Sequence, residues 1–240
     1  MSAKKTKFIN KWKKIIVDYF IKSSFEKIIQ DHNKDLRIQA QQQASITSYY
    51  FIKTYLLNTS SFETKFELLR FALSKIQKSN ENELFCEFGV FSGKTINFIA
   101  DNYPNIIVYG FDSFEGIPEK WNFLEKGYFK VNVLPKVRPN VQLIKGWFNE
   151  ALPEFLKINK GNVSFLHIDS DLYSSAKTIF TLMNERIVSG TVIVFDEFFN
   201  YPFWEEGEYR AFMEFTKSRN IIFEYIGYCY KGEQVALRIL

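Results

Sequence analysis

The chain has 240 residues, 46% of them hydrophobic and 18% aromatic, which excludes a disordered chain and suits one full α/β domain plus an extension rather than two independent domains. Its formal charge of +4 is uneven: residues 1–30 hold eight Lys against Asp18 and Glu26, a local +6 that leaves the remainder at −2. The basic pI is thus a property of the N-terminus, and the body of the chain is not expected to bind nucleic acid.

From Phe8 to about Gln30, Trp12, Ile15, Ile16, Tyr19 and Phe20 recur at helical spacing opposite a Lys-rich side. Asp18 and Lys22 interrupt this apolar stretch and no small-residue cleavage site follows, so no signal peptide is expected. No apolar run reaches the ~18–20 residues that span a bilayer, so no stable membrane insertion is expected either. A polar, Gln-rich stretch covers Asp31–Ser45, a second helix is predicted near Ile46–Leu57, and a third starts with Ser60 or Ser61 as its cap. The polar break at Lys78–Glu83 divides a helical extension (1–80) from the main domain (81–240).

Beyond that break, strands are predicted at Leu84–Phe88, Ile107–Phe111, Val141–Ile144, Val163–Ile168 and Thr191–Phe195, with helices near Lys94–Asp101, Glu150–Lys157 and Ala176–Arg186. Such alternation gives a mostly parallel, Rossmann-like α/β sheet with helices on both faces. A helix near Gly207–Arg219 and two strands around a Lys231–Gly232 turn add an antiparallel hairpin at one edge. Cys86 and Cys229 fall in strands without metal-ligand spacing, which reads as two reduced, buried thiols of a cytoplasmic protein. The abundance of Phe, 26 in all, reads as compositional bias rather than as an aromatic binding function.

Two acidic stretches carry the chemistry: HIDSDLYSS (His167–Ser175) and IVFDEFF (Ile193–Phe199). Each follows a buried strand, and carboxylates inside such strands would be heavily desolvated, so Asp169, Asp171, Asp196 and Glu197 should gather at the strand tips, where open α/β sheets bind ligands. Oxygen ligands in that number suit a hard cation. The alternative for Asp169 and Asp171 is a helix cap with a first-turn acid. His167 shares a face with Asp169, either touching ligand or satisfied in the core.

EFGVFSGKT (Glu87–Thr95) turns from the first strand into its helix, and Gly89 and Gly93 would let backbone approach a nucleoside-type cofactor. A phosphate loop fails on spacing, with three residues between those glycines instead of four, and G-x-G-x-x-G fails at Phe91. Asp112, about twenty residues on, is placed for ribose hydroxyls or else caps its own turn. Trp147 and Phe148 flank an adenine or pack in the core.

Taken in order, E-x-G-V-x-x-G (from Glu87), FDSFEGIPE-x-W (from Phe111), G-x-F (from Gly146), HIDSDLYSS, FDE (from Phe195) and W-x-x-G-E-x-x-A (from Trp204) resemble the macrocin O-methyltransferase family. Those enzymes have the class I methyltransferase fold and use S-adenosylmethionine and Mg²⁺ to methylate hydroxyls of sugars and related compounds. The resemblance spans Glu83 to Phe215 and implies a site for this chain. Glu87, Gly89, Val90, Phe91, Gly93, Thr95 and Asp169 would line the cofactor. Asp112 and Ser113 would hold its ribose, and Trp147 and Phe148 would lie by its adenine. Asp169, Asp196 and Glu197 would hold the metal and Asp171 would be the base; His167 is a catalytic candidate from its strand position alone.

That assignment agrees with the chemistry, since a sulfonium methyl needs an oxygen nucleophile and a divalent cation beside a carboxylate base supplies one. The expected substrate is a small sugar, nucleotide-linked or glycosylated. A catechol-like or other vicinal diol would use the same logic, and a non-catalytic binding protein of the same fold is the rival from another class. The apolar stripe of the N-terminal helix needs cover; a homo-oligomer is the expected source, with docking on its own core or lying on an anionic membrane as the alternatives.

Overall fold

The computed structural model describes residues 17, 19–24, 26–27, 34–77 and 83–240. Contacts divide the chain into residues 1–43 and Ala44–Leu240. In the first unit the described residues from 17 to 27 are helical and expose Val17, Tyr19, Phe20 and Ile21; Trp12, Ile15 and Ile16 lie outside the described residues. Asp35 there accepts bonds from the backbone N–H and the guanidinium of Arg37.

Helix α1 (Leu36–Phe51) is longer than the helix expected from Ile46, and absorbs much of the Gln-rich stretch. Gln and Ala are good helix formers, and this helix needs no broad apolar face: it buries only Ala44, Ser48 and Phe51, one per turn. A π-helical turn, Ile52–Leu56, continues it. Next comes β1 (Ser60–Phe62), where a helix cap was expected at Ser60 or Ser61. The cap is Thr64 instead. Its hydroxyl accepts from the Glu67 amide and Glu67 returns a bond to the Thr64 amide, so this capping box starts α2 (Lys65–Ser74).

The remaining elements fall close to expectation: β2 (Leu84–Phe88), α3 (Lys94–Asn102), β3 (Val108–Asp112), β4 (Val141–Lys145), α4 (Phe148–Ile158), β5 (Val163–Ile168), α5 (Tyr173–Met183), β6 (Val192–Phe195), α6 (Glu208–Arg219), β7 (Phe223–Cys229) and β8 (Val235–Ile239). They build one sheet in the order β1-β7-β8-β6-β5-β2-β3-β4. β8 runs antiparallel to both β6 and β7, whereas the pairs among β2 to β6 are parallel. The C-terminal hairpin is not the edge that was expected. β1 pairs in parallel with β7, Ser60 opposite Gly227, and so brings residues ahead of the 78–83 break into the sheet.

Strand alternation sends residues to two cores. Phe85, Phe165, Val192 and Val194 meet α2 and α3 on one face, while Phe88, Phe111, Ile168 and Phe195 meet α4, α5, α6 and the end of α1 on the other. Much of the unusual Phe content is therefore packing: Phe180, Phe198 and Phe212 are also buried. Both cysteines are buried and free, and burial raises the Cys86 thiol pKa well above its usual value.

The topology also fixes where a ligand can enter. After β2 the chain winds outward through β3 to β4, then returns to lay β5 on the other side of β2. The loops leaving β2 and β5 splay in opposite directions, which opens a crevice at the carboxyl ends of these strands.

Thr64→Ala removes one arm of the capping box and should lower stability by about 1 kcal/mol. Urea denaturation reads this as a lower midpoint at unchanged slope.

Candidate active site

A cleft of about 730 Å³ opens at that switch point, lined on one side by Gly89–Ser92, Asp112 and Trp147 and on the other by Asp169–Asp171, Asp196 and Glu197. Its floor is backbone. The Gly89 amide donates to Phe111 O at 2.9 Å, the Asp169 amide to Phe88 O at 2.9 Å and the Asp196 amide to Ile168 O at 2.8 Å, so the sheet ladder holds the first residue past each strand.

The glycine loop is shaped by its neighbours as much as by any ligand. Gly89 has φ +95°, and a Cβ there would stand 1.7 Å from the Asp169 carbonyl oxygen. Gly93, at φ +76°, is the left-handed residue from which α3 starts. Asp112 Oδ2 accepts from the Val90 and Phe91 amides at 2.9 and 2.8 Å, and Oδ1 from the Phe114 amide at 2.6 Å. These amides are already satisfied by a carboxylate, so the loop does not present them to a phosphate. Asp112 thus fastens the glycine loop while still lining the cleft. Ser113 Oγ is held internally, accepting from the Glu115 amide and donating to Gly116 O.

Phe91, with φ +44°, packs edge-to-face on Phe129, and both rings line the cleft. Trp147 precedes α4 and lines the cleft; Phe148 lines it too, with its ring edge-to-face on core Phe88 at 5.4 Å. Phe148 therefore packs on the core while facing the cleft.

Glu87 lies deeper than the sequence reading places it, and His167 takes the core position of its two alternatives. Each is 0% exposed and neither lines the cleft. The Thr95 hydroxyl donates to Glu87 Oε1 at 2.8 Å, while Glu87 Oε2 lies 3.3 Å from His167 Nδ1. On its other side His167 Nε2 lies 3.8 Å from Asp196 Oδ1. Burial alone disfavours the imidazolium, but Asp196 and Glu87 outweigh it and raise the pKa of His167 to about 10. Buried between two carboxylates and away from the cleft lining, His167 backs Asp196 rather than reaching a ligand.

The four acids at the strand tips come together. Oxygens of Asp169, Asp171 and Glu197 lie within 4.8 Å of one another, and a second group joins His167, Asp169 and Asp196. The three-acid group thus includes Asp171 where the sequence reading has Asp196. Neither Asp169 nor Asp171 caps a helix: the residue before α5 is Leu172, without a side-chain cap. Asp171 adopts φ +61°, a left-handed conformation that Asp tolerates better than most residues.

Crowding pulls their pKa values apart. Burial and then Asp196 push Asp169 well above the carboxylate range, and burial with the neighbouring acids does the same to Glu197. Burial, Asp196 and Asp112 raise Asp171 to about 7. Burial would raise Asp196 too, but the charge of His167 and the charge and hydrogen bonds of Lys65 bring it down to about 2. Glu197 Oε2 is buried without a hydrogen-bond partner. An unpartnered carboxylate oxygen beside two converging acids fits a hard divalent cation taking oxygen ligands.

Three site residues escape the sequence reading. Lys65, at the start of α2, places Nζ 3.1 Å from each oxygen of Asp196, and nothing in its local sequence signals this. Glu208, fully buried in α6, accepts from the Ser170 amide and hydroxyl at 2.9 and 2.8 Å and so grips the loop between Asp169 and Asp171. It lies inside W-x-x-G-E-x-x-A, where the pattern was visible but not its contact. Glu233 is raised to about 7 by burial, Asp196 and Asp171.

These shifts fix a pH dependence. A carboxyl whose folded pKa exceeds its unfolded value adds stability below the unfolded value and loses it as pH rises through the folded one. For Asp171 that window runs from 3.8 to about 7, and for Glu233 from 4.5 to about 7. Chelator-treated protein should therefore lose Tm as pH rises through this range, and Glu233→Gln should flatten the fall. Calorimetry across pH checks both.

A family model described as a methyltransferase domain matches residues 86–198. No curated protein matches the chain in sequence. Among solved structures, the chain is similar to the calicheamicin methyltransferase CalS11 at 20% identity and TM-score 0.56, covering 72% of this chain and 76% of that one. An apo structure of CalS11, at 18% identity and TM-score 0.50 over 72% and 76%, is described as a TDP-rhamnose 3′-O-methyltransferase. The O-methyltransferase NovP is similar at 19% identity and TM-score 0.55 over 72% and 78%. An O-methyltransferase from Bacillus cereus, in complex with SAH, aligns at 15% identity and TM-score 0.50 over 86% and 91%. Residues 86–198 therefore match a methyltransferase domain and sit in a sheet of the class I methyltransferase fold.

Proposed function

We propose that the protein is an O-methyltransferase that moves the methyl group of S-adenosylmethionine to a hydroxyl of a small sugar, with Mg²⁺ in the acidic site. The observation that carries this reading is the convergence of Asp169, Asp171 and Glu197, with Asp196 beside them, across one cleft from the loop Gly89–Gly93. The sugar acceptor is supported by the description of CalS11, and the donor by the methyltransferase domain.

In this reading Gly89, Val90, Phe91 and Asp112 border the cofactor directly, and Ser113, Trp147 and Phe148 enclose its ribose and adenine. Glu87 and Thr95 support the loop from below. Asp169, Asp196 and Glu197 would hold Mg²⁺, which when bound supplies positive charge that favours alkoxide character at the acceptor oxygen. Asp171 takes the hydroxyl proton. A base raised to about 7 is well matched to that task near neutral pH, because it is ionised often enough to accept a proton and basic enough to keep it. His167 holds Asp196 in place.

We further propose a cytoplasmic, homo-oligomeric protein. Among the described residues no helix is long and apolar enough to cross a membrane, and Val17, Tyr19, Phe20 and Ile21 are exposed in the first unit. Phe20→Ser should shift the mass in solution, as light scattering would show; an unchanged mass removes this role.

Asp171→Asn keeps the side chain's shape, and Asn accepts the left-handed backbone. It should lower kcat by roughly 10²–10⁴-fold with little change in affinity for SAH, measured by calorimetry. A rate near that of the wild type would remove Asp171 as the base. Chelation should abolish turnover of nucleotide sugars. Turnover of catechols instead would redirect the acceptor to vicinal diols.

A further inference from the structure

The acids of the cleft are not treated alike. Asp169, Asp171 and Glu197 have no ion pair with Lys or Arg among the described residues, and Glu197, only 9% exposed, leaves Oε2 without a partner. Asp196 is taken on both sides. Lys65 Nζ sits 3.1 Å from Oδ1 and 3.1 Å from Oδ2, and His167 Nε2 approaches Oδ1 from beneath at 3.8 Å.

An ammonium straddling a carboxylate in this way occupies the region between its two oxygens that a divalent cation would use. The two partners differ in mobility. The Asp196 side chain is 10% exposed and its backbone is tied to Ile168, whereas the Lys65 side chain is 34% exposed on a four-carbon stem. Lys65 can swing to solvent while Asp196 stays.

Resting on the metal reading above, we propose that Lys65 is a built-in competitor of the divalent cation: its ammonium holds Asp196, and the cation gains that carboxylate only by displacing Lys65. Without the cation, Lys65 offsets the charge of Asp196 beside the other three acids. With it, the same carboxylate changes partner, so metal affinity is set partly by a residue of α2, outside the matched methyltransferase domain.

The test uses Mn²⁺ as probe, titrated by calorimetry into the full chain after chelator treatment. Lys65→Gln should tighten Mn²⁺ binding at least about tenfold, since a unit charge at ion-pair range is removed. Lys65→Arg, which keeps the charge, should not tighten it. In an Asp196→Asn background the Gln substitution should add nothing, because the contested carboxylate is gone. Thermal melts and SAH affinity confirm that each variant is folded. Unchanged or weaker Mn²⁺ binding in Lys65→Gln overturns the proposal. Equal tightening in both backgrounds also overturns it, as it shows through-space repulsion rather than competition for Asp196. If neither the wild type nor any variant binds Mn²⁺, the metal reading itself falls and takes this one with it.

Discussion

The site depends on how closely two strand tips can approach. β2 and β5 are neighbours at the point where the sheet reverses its winding, and there the Asp169 carbonyl lies where a Cβ on Gly89 would be. Only glycine leaves that room, and its φ of +95° is one that other residues rarely adopt. From this contact the cofactor-side loop turns one way and the D-x-D loop the other. Asp112 then fastens the first by its amides, and Glu208 fastens the second through Ser170. The cleft between them is a consequence of backbone packing before any side chain lines it.

The second constraint is charge. Bringing Asp169, Asp171, Asp196 and Glu197 to two adjacent strand tips would be prohibitive if all were ionised and unpaired. The protein divides the burden. Asp196 keeps its charge, lowered to about 2 by His167 and Lys65 against the effect of burial. Asp169 and Glu197 are pushed the other way, towards their neutral forms. Glu87, 3.3 Å from Nδ1, joins Asp196 in raising the pKa of His167 against its burial. His167 from below and Lys65 from α2 thus flank Asp196 with opposite charge.

This explains what could be read from sequence. Strands β2 and β5 were legible to the residue because each is a mostly apolar run, broken only by Glu87 in β2 and by Ser164 and His167 in β5, and ended by glycine or acid. The acids at Asp169, Asp171, Asp196 and Glu197 followed from the cost of placing carboxylates inside such runs. Depth was not legible. Glu87 sits in a motif that suggests ligand contact but is a fully buried strand residue, and His167 could be placed in the core only as one of two alternatives. Nor was α1, whose one buried residue per turn gives no amphipathic signal. β1 was hidden by length: three residues with two Ser look like a helix cap until β7 is there to pair with them.

Lys65 shows why long-range partners escape a linear reading. It is separated from Asp196 by 131 residues, and it reaches the site only because the capping box at Thr64 starts α2 where it does. Glu208 reaches Ser170 from the opposite side of the sheet, at the start of α6. Both lie outside residues 86–198, the stretch that matches the methyltransferase domain. That domain supplies the strand tips and their acids, whereas the flanking helices supply the groups that hold Asp196 and the D-x-D loop in position. The acidic site is therefore completed by helices from both ends of the chain, which is why Asp169, Asp171, Asp196 and Glu197 alone do not describe it.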